Sequence, residues 1–351
     1  MTDQLIDLRS DTLSLPTAEM LRSMATARLG DDSRDGDPTV RELEEMSADL
    51  LGKEAAILTV SGTMSNVVAL RTHTEPGAAA VVEQSAHLYG LEFGGIASAC
   101  GLVALPVPGR HGAMDLDALR FTLRRAVAGF LAPGILCLED THNTAGGTVI
   151  PPEHLDACAE LARAEGLRIH LDGARLFNAA VALKREARDF VRSVDTVSFC
   201  LSKGLSAPVG SLLVGTRAAI DRARRIRRGL GGAMRQAGII AAPGLVALRS
   251  CVARLAEDHE HAALLARLVS TIDGLFVDLE TVQSNIVNVD VKGLGLTAAT
   301  FASHLQARGV RGLPGLGTIV RFVTYRGITR EDIERAAATI RAVVDARPWA
   351  G

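Results

Sequence analysis

Three segments of the sequence carry residue types that could do chemistry together. SGTMSN (61–66) follows an apolar run, and Ser-Gly-Thr at a helix start presents free backbone N–H groups and hydroxyls to an anion such as phosphate. HLDGAR (170–175) ends another apolar run with Asp172, and SFCLSKGLSAPVG (198–210) places Lys203 in a turn. Each segment also has a plain structural interpretation, as a helix cap, a structural ion pair and a solvated turn lysine respectively.

The use of lysine in this sequence bears on the third segment. Only four of the 38 basic residues are lysines: Lys53, Lys184, Lys203 and Lys292. Where only positive charge is needed the sequence uses arginine, whereas an amine that must lose its proton and attack has to be lysine. This favours a chemical role for Lys203, although a residual surface lysine remains an alternative.

The elements that would position these residues alternate along the chain. Apolar runs predict strands, and Ala/Leu/Arg-rich stretches of helical period lie between most of them, as in 152–166. This alternation predicts an α/β fold whose mainly parallel central sheet has helices on both faces. The predicted strands are 55–60, 79–83, 102–107, 134–140, 167–172, 196–200 and 211–215.

In such sheets, ligands bind at the carboxyl ends of the strands, where all three segments fall. An anion seat at Ser61, Gly62 and Thr63, an acid at Asp172 and an amine at Lys203 together match the needs of pyridoxal phosphate (PLP). Lysine holds that cofactor as a Schiff base, and an acid keeps its pyridine nitrogen protonated. The ordered set therefore predicts a PLP enzyme with a small amino-acid substrate.

The pattern changes near residue 235, where one long helical stretch is predicted to run to about 273. The strands 285–291 and 318–324 and the helices 297–309 and from 329 follow. We expect a large PLP-binding domain over 1–245, including the N-terminal segment, and a smaller C-terminal α+β domain over 246–351.

Composition excludes several classes of protein and site. A net charge of −2 does not favour nucleic-acid partners, and no apolar run of 18 residues predicts a membrane span. GxxxxGK[ST] is absent, which argues against a nucleotide P-loop. We expect no metal site, since His259 and His261 are two residues apart and DDSRDGD (31–37) lacks the terminal glutamate of a calcium loop. The start of the sequence does not resemble a signal peptide, and the five cysteines are scattered, so we expect a cytoplasmic protein.

Longer motifs over almost the whole chain resemble the threonine aldolases, in the beta-eliminating lyase/threonine aldolase group. The resemblance implies PLP-dependent transferase-like fold type I, and a homotetramer with active sites at subunit interfaces. It implies reversible retro-aldol cleavage of L-threonine, L-allo-threonine or a related β-hydroxy-α-amino acid to glycine and an aldehyde. The motifs are DLRSDT (7–12), GKEAA (52–56), SGTM (61–64), THN (141–143), HLDGARLFNA (170–179), SFCLSKGL (198–205) and GGAMRQAGI (231–239).

The resemblance also implies residue roles. Lys203 would hold PLP, Asp172 would pair with the pyridine nitrogen, and His87 would stack on the ring. Phosphate would be bound by Ser61, Gly62 and Thr63, with Arg228 and Arg235 reaching the phosphate of a neighbouring subunit. Ser10, Arg175 and Arg321 would bind the substrate carboxylate. From position alone, His87 could equally be a core histidine, Arg321 a strand-face ion pair and Arg228 part of a solvated helix face.

Four positions depart from the family pattern. Arg34 stands where a tyrosine is usual, Gly129 where a histidine is common, Asp140 replaces an asparagine and Tyr325 a histidine. These changes lie in segments expected near the substrate side chain, and Arg34 would suit an anionic one. β-Elimination, transaldol transfer or racemisation on a specialised amino acid remain alternatives, as does a non-catalytic sensor, which the retained lysine, aspartate and arginines disfavour.

Overall fold

The computed structural model describes residues 5–129, 134–347 and 349. The strands are β1 (Ile6–Asp7), β2 (Ala55–Thr59), β3 (Ala79–Glu83), β4 (Val103–Val107), β5 (Gly109–Arg110), β6 (Ala113–Met114), β7 (Ile135–Glu139), β8 (Arg168–Asp172), β9 (Thr196–Cys200), β10 (Ser211–Gly215), β11 (Ile286–Asp290), β12 (Val310–Arg311), β13 (Leu313–Pro314) and β14 (Ile319–Val323). The α-helices are α1 (Ala18–Ala25), α2 (Pro38–Leu51), α3 (Gly62–His73), α4 (His87–Gly90), α5 (Gly95–Ser98), α6 (Leu116–Ala128), α7 (Pro152–Ala164), α8 (Leu176–Leu183), α9 (Arg217–Gly229), α10 (Gly238–Ser250), α11 (Leu255–Val269), α12 (Ala298–Gln306) and α13 (Arg330–Ala346). Short 3-10 helices span Asp11–Leu13, Ala187–Phe190, Leu279–Thr281 and Lys292–Leu294.

The predicted central sheet is confirmed. Within the described residues it has seven strands in the order β2-β10-β9-β8-β7-β3-β4. β10 runs antiparallel to β2 and β9, and the other neighbours pair in parallel. Each strand begins and ends within one residue of its predicted bounds, because short apolar runs, most of them buried along their whole length, are bounded by polar or glycine residues.

The long helix predicted from about 235 to 273 is wrong, because α10 and α11 are separate helices bent by 73°. α10 packs against α1 and α2 beside the central sheet, whereas α11 packs against α13 and β11. The chain has to turn between these two layers, and the apolar periodicity continues across the turn. Among the described residues no single helix is long and apolar enough to span a membrane; α10 and α11 together pass that test only as a bent pair.

The N-terminal segment joins the C-terminal part of the chain. β1 pairs in parallel with β12, and Ile6 and Leu8 are buried in the apolar cluster of α11, α12, α13, β11 and β14. A larger apolar cluster surrounds the central sheet and ends at Leu255. The division at residue 245 stays a prediction.

Candidate active site

A cavity of about 190 Å³ opens at the carboxyl ends of β7 and β8. Lys203, Asp172 and His87 line it, together with the three residues expected to bind a carboxylate. The full lining is Ser10, Thr12, His87, Leu91, Glu139, Thr141, Asn143, Asp172, Ala174, Arg175, Lys203, Leu313 and Arg321.

Lys203 is held at the cavity by the turn that joins β9 to β10. Its carbonyl accepts a hydrogen bond from Ser206 N at 2.8 Å, and Ser206 has a φ of +67°. The Ser206 hydroxyl is 2.6 Å from that of Ser14, which fixes the turn to the N-terminal segment. A Cβ at Gly204 would lie 2.7 Å from Leu255 Cδ2, so the buried Leu255 side chain would have to shift. The lysine is therefore placed by a defined turn, with its side chain half-buried.

Asp172 ends β8 with both carboxylate oxygens engaged. Oδ1 accepts from Ala174 N at 3.0 Å, and Oδ2 accepts from Asn66 Nδ2 at 2.8 Å. The side chain is buried, with 4% of the residue exposed. An acid held in this way is suited to fix the proton of a pyridine nitrogen.

His87 begins α4, and two glutamates hold it. Its backbone N donates to Glu139 Oε2 at 2.6 Å, and its Nδ1 lies 3.1 Å from Glu92 Oε1. The hydrogen bond to Glu92 raises the pKa of His87. Ligand atoms of His87, Glu92 and Asp172 lie within 4.8 Å of one another, a spacing that a metal ion could bridge. Because Asn66 and His87 already donate hydrogen bonds to these carboxylates, we interpret the group as a hydrogen-bonded cluster.

Arg175 forms a buried ion pair that the sequence did not reveal. Its Nε donates to Asp11 Oδ2 at 2.7 Å, and its second terminal nitrogen donates to Asp11 Oδ1 at 2.8 Å. Burial alone would raise the pKa of Asp11, but the charge and hydrogen bonds of Arg175, with the charge of Lys203 and a hydrogen bond from Asn285, together lower that pKa to about 2. Asp11 lies within DLRSDT, so its motif was visible although its partner, 164 residues away, was not.

Arg321 is the less neutralised of the two cavity arginines. One terminal nitrogen donates to Asn143 Oδ1 at 2.9 Å, and Arg175 donates to the same oxygen at 3.2 Å. Among the described residues no carboxylate lies within ion-pair distance of Arg321, and its buried Nε has no hydrogen-bond partner. Burial and the charge of Arg175 lower the pKa of Arg321 to about 10. A cation in this state is ready to accept an anionic group.

The predicted phosphate seat lies at the start of α3, outside the residues that line the cavity. Ser61 caps the helix by accepting from Met64 N at 3.2 Å. Within the described part of the chain, the N–H groups of Gly62 and Thr63 make no hydrogen bond. Gly62 packs on the end of β9, where a Cβ would lie 2.9 Å from Cys200 Sγ. An amine, a buried carboxylate and a free helix N-terminus are thus all present, and these residues fit PLP.

Comparison with known proteins decides the family. The family model described as beta-eliminating lyase matches residues 7–292. The chain belongs to this family. The low specificity L-threonine aldolase of Escherichia coli (strain K12) is 41% identical over 339 residues, which cover 96% of this chain and 99% of that protein. Low-specificity L-threonine aldolase 1 of Arabidopsis thaliana is 37% identical over 333 residues, 93% of each chain.

A solved structure supports the fold independently. A threonine aldolase from Leishmania major superposes with a TM-score of 0.83 at 18% identity, covering 97% of this chain and 99% of that chain. The resemblance to threonine aldolases and the fold predicted from it are confirmed. The protein is a lyase, and its cofactor is pyridoxal phosphate.

Three arginines expected at the site of this lyase do not line the cavity of their own chain. Arg34 is exposed and lies 3.7 Å from Asp31. Arg228 and Arg235 are also exposed, and within the described residues their side chains make no hydrogen bond or ion pair. The loops of Arg34 and Arg235 are joined, since Asp32 N donates to Arg235 O at 3.0 Å.

The other departures from the family pattern lie away from the cavity of the lyase. Tyr325 is buried and donates to the carbonyl of Asp7 at 2.8 Å, so it fixes the N-terminal segment. Gly129 is exposed at the end of α6, beside Pro106 and Phe121. Asp140 is fully buried, and its Oδ1 accepts from Ile150 N at 3.2 Å. Gly129 and Tyr325 do not line the cavity of their own chain, and their effect on the choice of substrate stays a prediction.

Proposed function

We propose that this lyase is an aldolase that cleaves L-threonine, L-allo-threonine or a related β-hydroxy-α-amino acid to glycine and an aldehyde. One observation carries the proposal. Arg321, a cation without a carboxylate partner among the described residues, faces the same cavity as Lys203 and Asp172. An α-amino acid would place its amine at the cofactor site of Lys203 and Asp172 and its carboxylate at Arg321. The names of the Escherichia coli and Arabidopsis relatives agree with this chemistry.

Each cavity residue has a separate task in this proposal. Lys203 supplies the amine that holds PLP, and Asp172 holds the proton on its pyridine nitrogen. PLP, when bound, supplies an electron sink for the bond broken at Cα. Arg321 binds the substrate carboxylate, with Arg175 and Ser10 beside it. A carboxylate fixed at this point limits rotation about the bond between Cα and the amine nitrogen, and this determines which bond at Cα can be broken. His87, anchored by Glu92 and Glu139, would cover one face of the ring.

The active form is, in this proposal, a cytoplasmic homotetramer whose sites lie at subunit interfaces. Arg228 and Arg235 then meet the phosphate of a neighbouring subunit. Exposed apolar side chains near the cavity support a subunit interface there, since Phe93 is fully exposed and the cavity residue Leu91 is 53% exposed. Five buried cysteines without a disulfide suit a reducing compartment.

Mixing variant subunits tests the shared site. We expect Lys203→Ala and Arg235→Ala tetramers to be inactive or weakly active on their own. If Arg235 serves a neighbour, exchange of their subunits should restore activity, because some sites would then combine an intact Lys203 with an intact Arg235. Absence of restoration in tetramers shown by mass spectrometry to be mixed contradicts the shared site.

Arg34 is proposed to select the substrate side chain. Its loop is joined to that of Arg235 by the hydrogen bond from Asp32 N to Arg235 O, so a subunit that meets Arg235 would also lie near Arg34. We expect a higher kcat/KM for β-hydroxyaspartate than for threonine or phenylserine, and Arg34→Tyr should reverse this order. Equal rates on the acidic and neutral substrates would contradict this role.

β-Elimination is the second candidate, because the matching family model is described as beta-eliminating lyase. Product identification separates the two reactions. The PLP-loaded enzyme is incubated with L-threonine and its stereoisomers, and all products are quantified. The aldolase yields glycine and acetaldehyde in equal amounts, whereas elimination yields 2-oxobutanoate and ammonia.

A further inference from the structure

A row of polar side chains lies buried between α3 and the central sheet, behind the active site. Asp172 and His170 point to the same face of β8, and Ser198 and Thr196 lie beside them on β9, in the register Asp172↔Ser198 and His170↔Thr196. Asn66 on α3 meets this row. These five residues are each 4% exposed or less. Apolar side chains would fill such a layer at least as stably, so the polarity calls for another explanation.

Asn66 uses all of its hydrogen-bonding capacity in this layer. Its Nδ2 donates to Asp172 Oδ2 at 2.8 Å and to Glu92 Oε1 at 2.9 Å. Its Oδ1 accepts from Ser198 Oγ at 3.0 Å and from His170 Nε2 at 3.1 Å. An amide turned the other way would set its oxygen against two carboxylates, so the orientation is fixed by charge. Asn66 therefore holds the acid that serves the pyridine nitrogen and the glutamate that holds His87.

The orientation of Asn66 determines the protons further along the row. Because Asn66 Oδ1 is an acceptor, His170 must carry its proton on Nε2. Burial lowers the pKa of His170 to about 4, so the ring is neutral and its Nδ1 is an acceptor. Thr196 Oγ1, 3.1 Å away, must then donate to that nitrogen.

The row ends at His73, which lies seven residues after Asn66 on α3. His73 Nε2 lies 3.0 Å from Thr196 Oγ1, and since the Thr196 proton is already committed, His73 must donate. Burial lowers the pKa of His73 to about 4, so this ring is also neutral. Every donor points along the row toward Asn66. His73 itself borders a separate cavity with Arg168 and Arg222.

We propose that Asn66 is the positioning residue of this active site, that its amide holds Asp172 and Glu92 in place, and that the network His73–Thr196–His170 takes its direction from Asn66. Asn66 does not line the cavity and acts through the two carboxylates that it holds. Helix α3 thereby serves the cofactor at two points. Its N-terminus would receive the phosphate, and Asn66, one turn further along the helix, would align the acid for the ring nitrogen.

Cofactor affinity gives the first test. Asn66→Ala removes both donors to the carboxylates, and we expect the dissociation constant for PLP to rise roughly ten- to a hundredfold, as for the loss of one or two hydrogen bonds to charged groups. Thr72→Val is the matched control, since Thr72 is a buried hydroxyl on the same helix that bonds only to Val68 O. PLP affinity in Asn66→Ala equal to that of wild type and Thr72→Val overturns the proposal.

Histidine protonation gives the second test, which survives even if Asn66→Ala fails to fold. ¹⁵N-histidine spectra of the intact holoenzyme should show His170 and His73 as neutral rings protonated on Nε2. Thr196→Val should shift the His170 Nδ1 resonance toward that of a nitrogen without a donor, and Thr196→Ser should restore it. His170 protonated on Nδ1, or an unchanged resonance in Thr196→Val, overturns the proposed direction of the network.

Discussion

Replacement of the two cavity arginines should separate substrate binding from folding. Arg175 is neutralised by Asp11 inside the protein, whereas Arg321 has no carboxylate partner among the described residues. Arg321→Ala removes the cation available to the substrate carboxylate. Two hydrogen bonds to a charged group contribute about 3–6 kcal/mol, so KM should rise by roughly 100-fold or more. The free energy of unfolding should change by no more than about 1 kcal/mol, because no internal ion pair is broken.

Arg175→Ala should behave differently, because it leaves the Asp11 carboxylate buried without its cation. Removal of one partner from a buried ion pair costs about 3–5 kcal/mol of stability. The assays are urea unfolding of each variant at pH 7.5 and initial rates with L-threonine. Arg321→Lys is the matched control, since it keeps the charge and should recover part of the affinity. The reasoning is refuted if Arg321→Ala destabilises the fold as much as Arg175→Ala, or leaves KM unchanged.

Three further outcomes are expected. Tyr325→Phe should lower stability by about 1 kcal/mol by loss of the bond to Asp7 O, with little change in kcat/KM; a large fall in kcat/KM at unchanged stability would place Tyr325 at the substrate. Burial raises the pKa of Asp140 well above its usual range, so its contribution to stability is present at low pH and lost as pH rises. In urea titrations, the free energy of unfolding of Asp140→Asn should match that of wild type in acid and exceed it increasingly toward pH 9. A difference that stays constant with pH would contradict this. The pKa of Asp11 is lowered to about 2, so its contribution to stability is present above about pH 4 and lost toward pH 2. Asp11→Asn should therefore be less stable than wild type near neutral pH and about as stable in acid. A difference in the free energy of unfolding that persists at pH 2 would contradict this.

The sheet could be predicted from the sequence because its strands are short, mostly buried and bounded by residues that favour turns. Helix ends with a strong local signal were equally accessible: Asp37 caps α2 and Pro38 is its first residue, a pair of residues that is typical of helix starts. The break at 251–254 could not be predicted, since apolar residues continue through it and the bend follows from packing on two different layers. β1 is two residues long and pairs with a strand about 300 residues away, which no local pattern reveals.

The candidate site was accessible where residue type alone limits the chemistry. Lys203 and Asp172 were found because an amine and an acid at neighbouring strand ends have few alternatives, whereas Arg321, in the middle of β14, was assigned from the resemblance. Asp11 and Asn66 were missed although each lies in a quoted motif, because their roles depend on partners more than 100 residues away. The roles of Arg34, Arg228 and Arg235 were assigned from the resemblance. Their side chains are exposed and do not line the cavity of their own chain, so the proposed roles place them at the site of a neighbouring subunit.

The central claim is that Lys203, and no other lysine, holds the cofactor. Borohydride reduction of the holoenzyme fixes PLP covalently to its lysine, and peptide mass spectrometry then identifies the modified residue. With only four lysines in the chain, the assignment is unambiguous. The account predicts stoichiometric labelling of Lys203 and loss of all labelling in Lys203→Ala. Stoichiometric labelling of Lys53, Lys184 or Lys292 in the wild-type enzyme would contradict it.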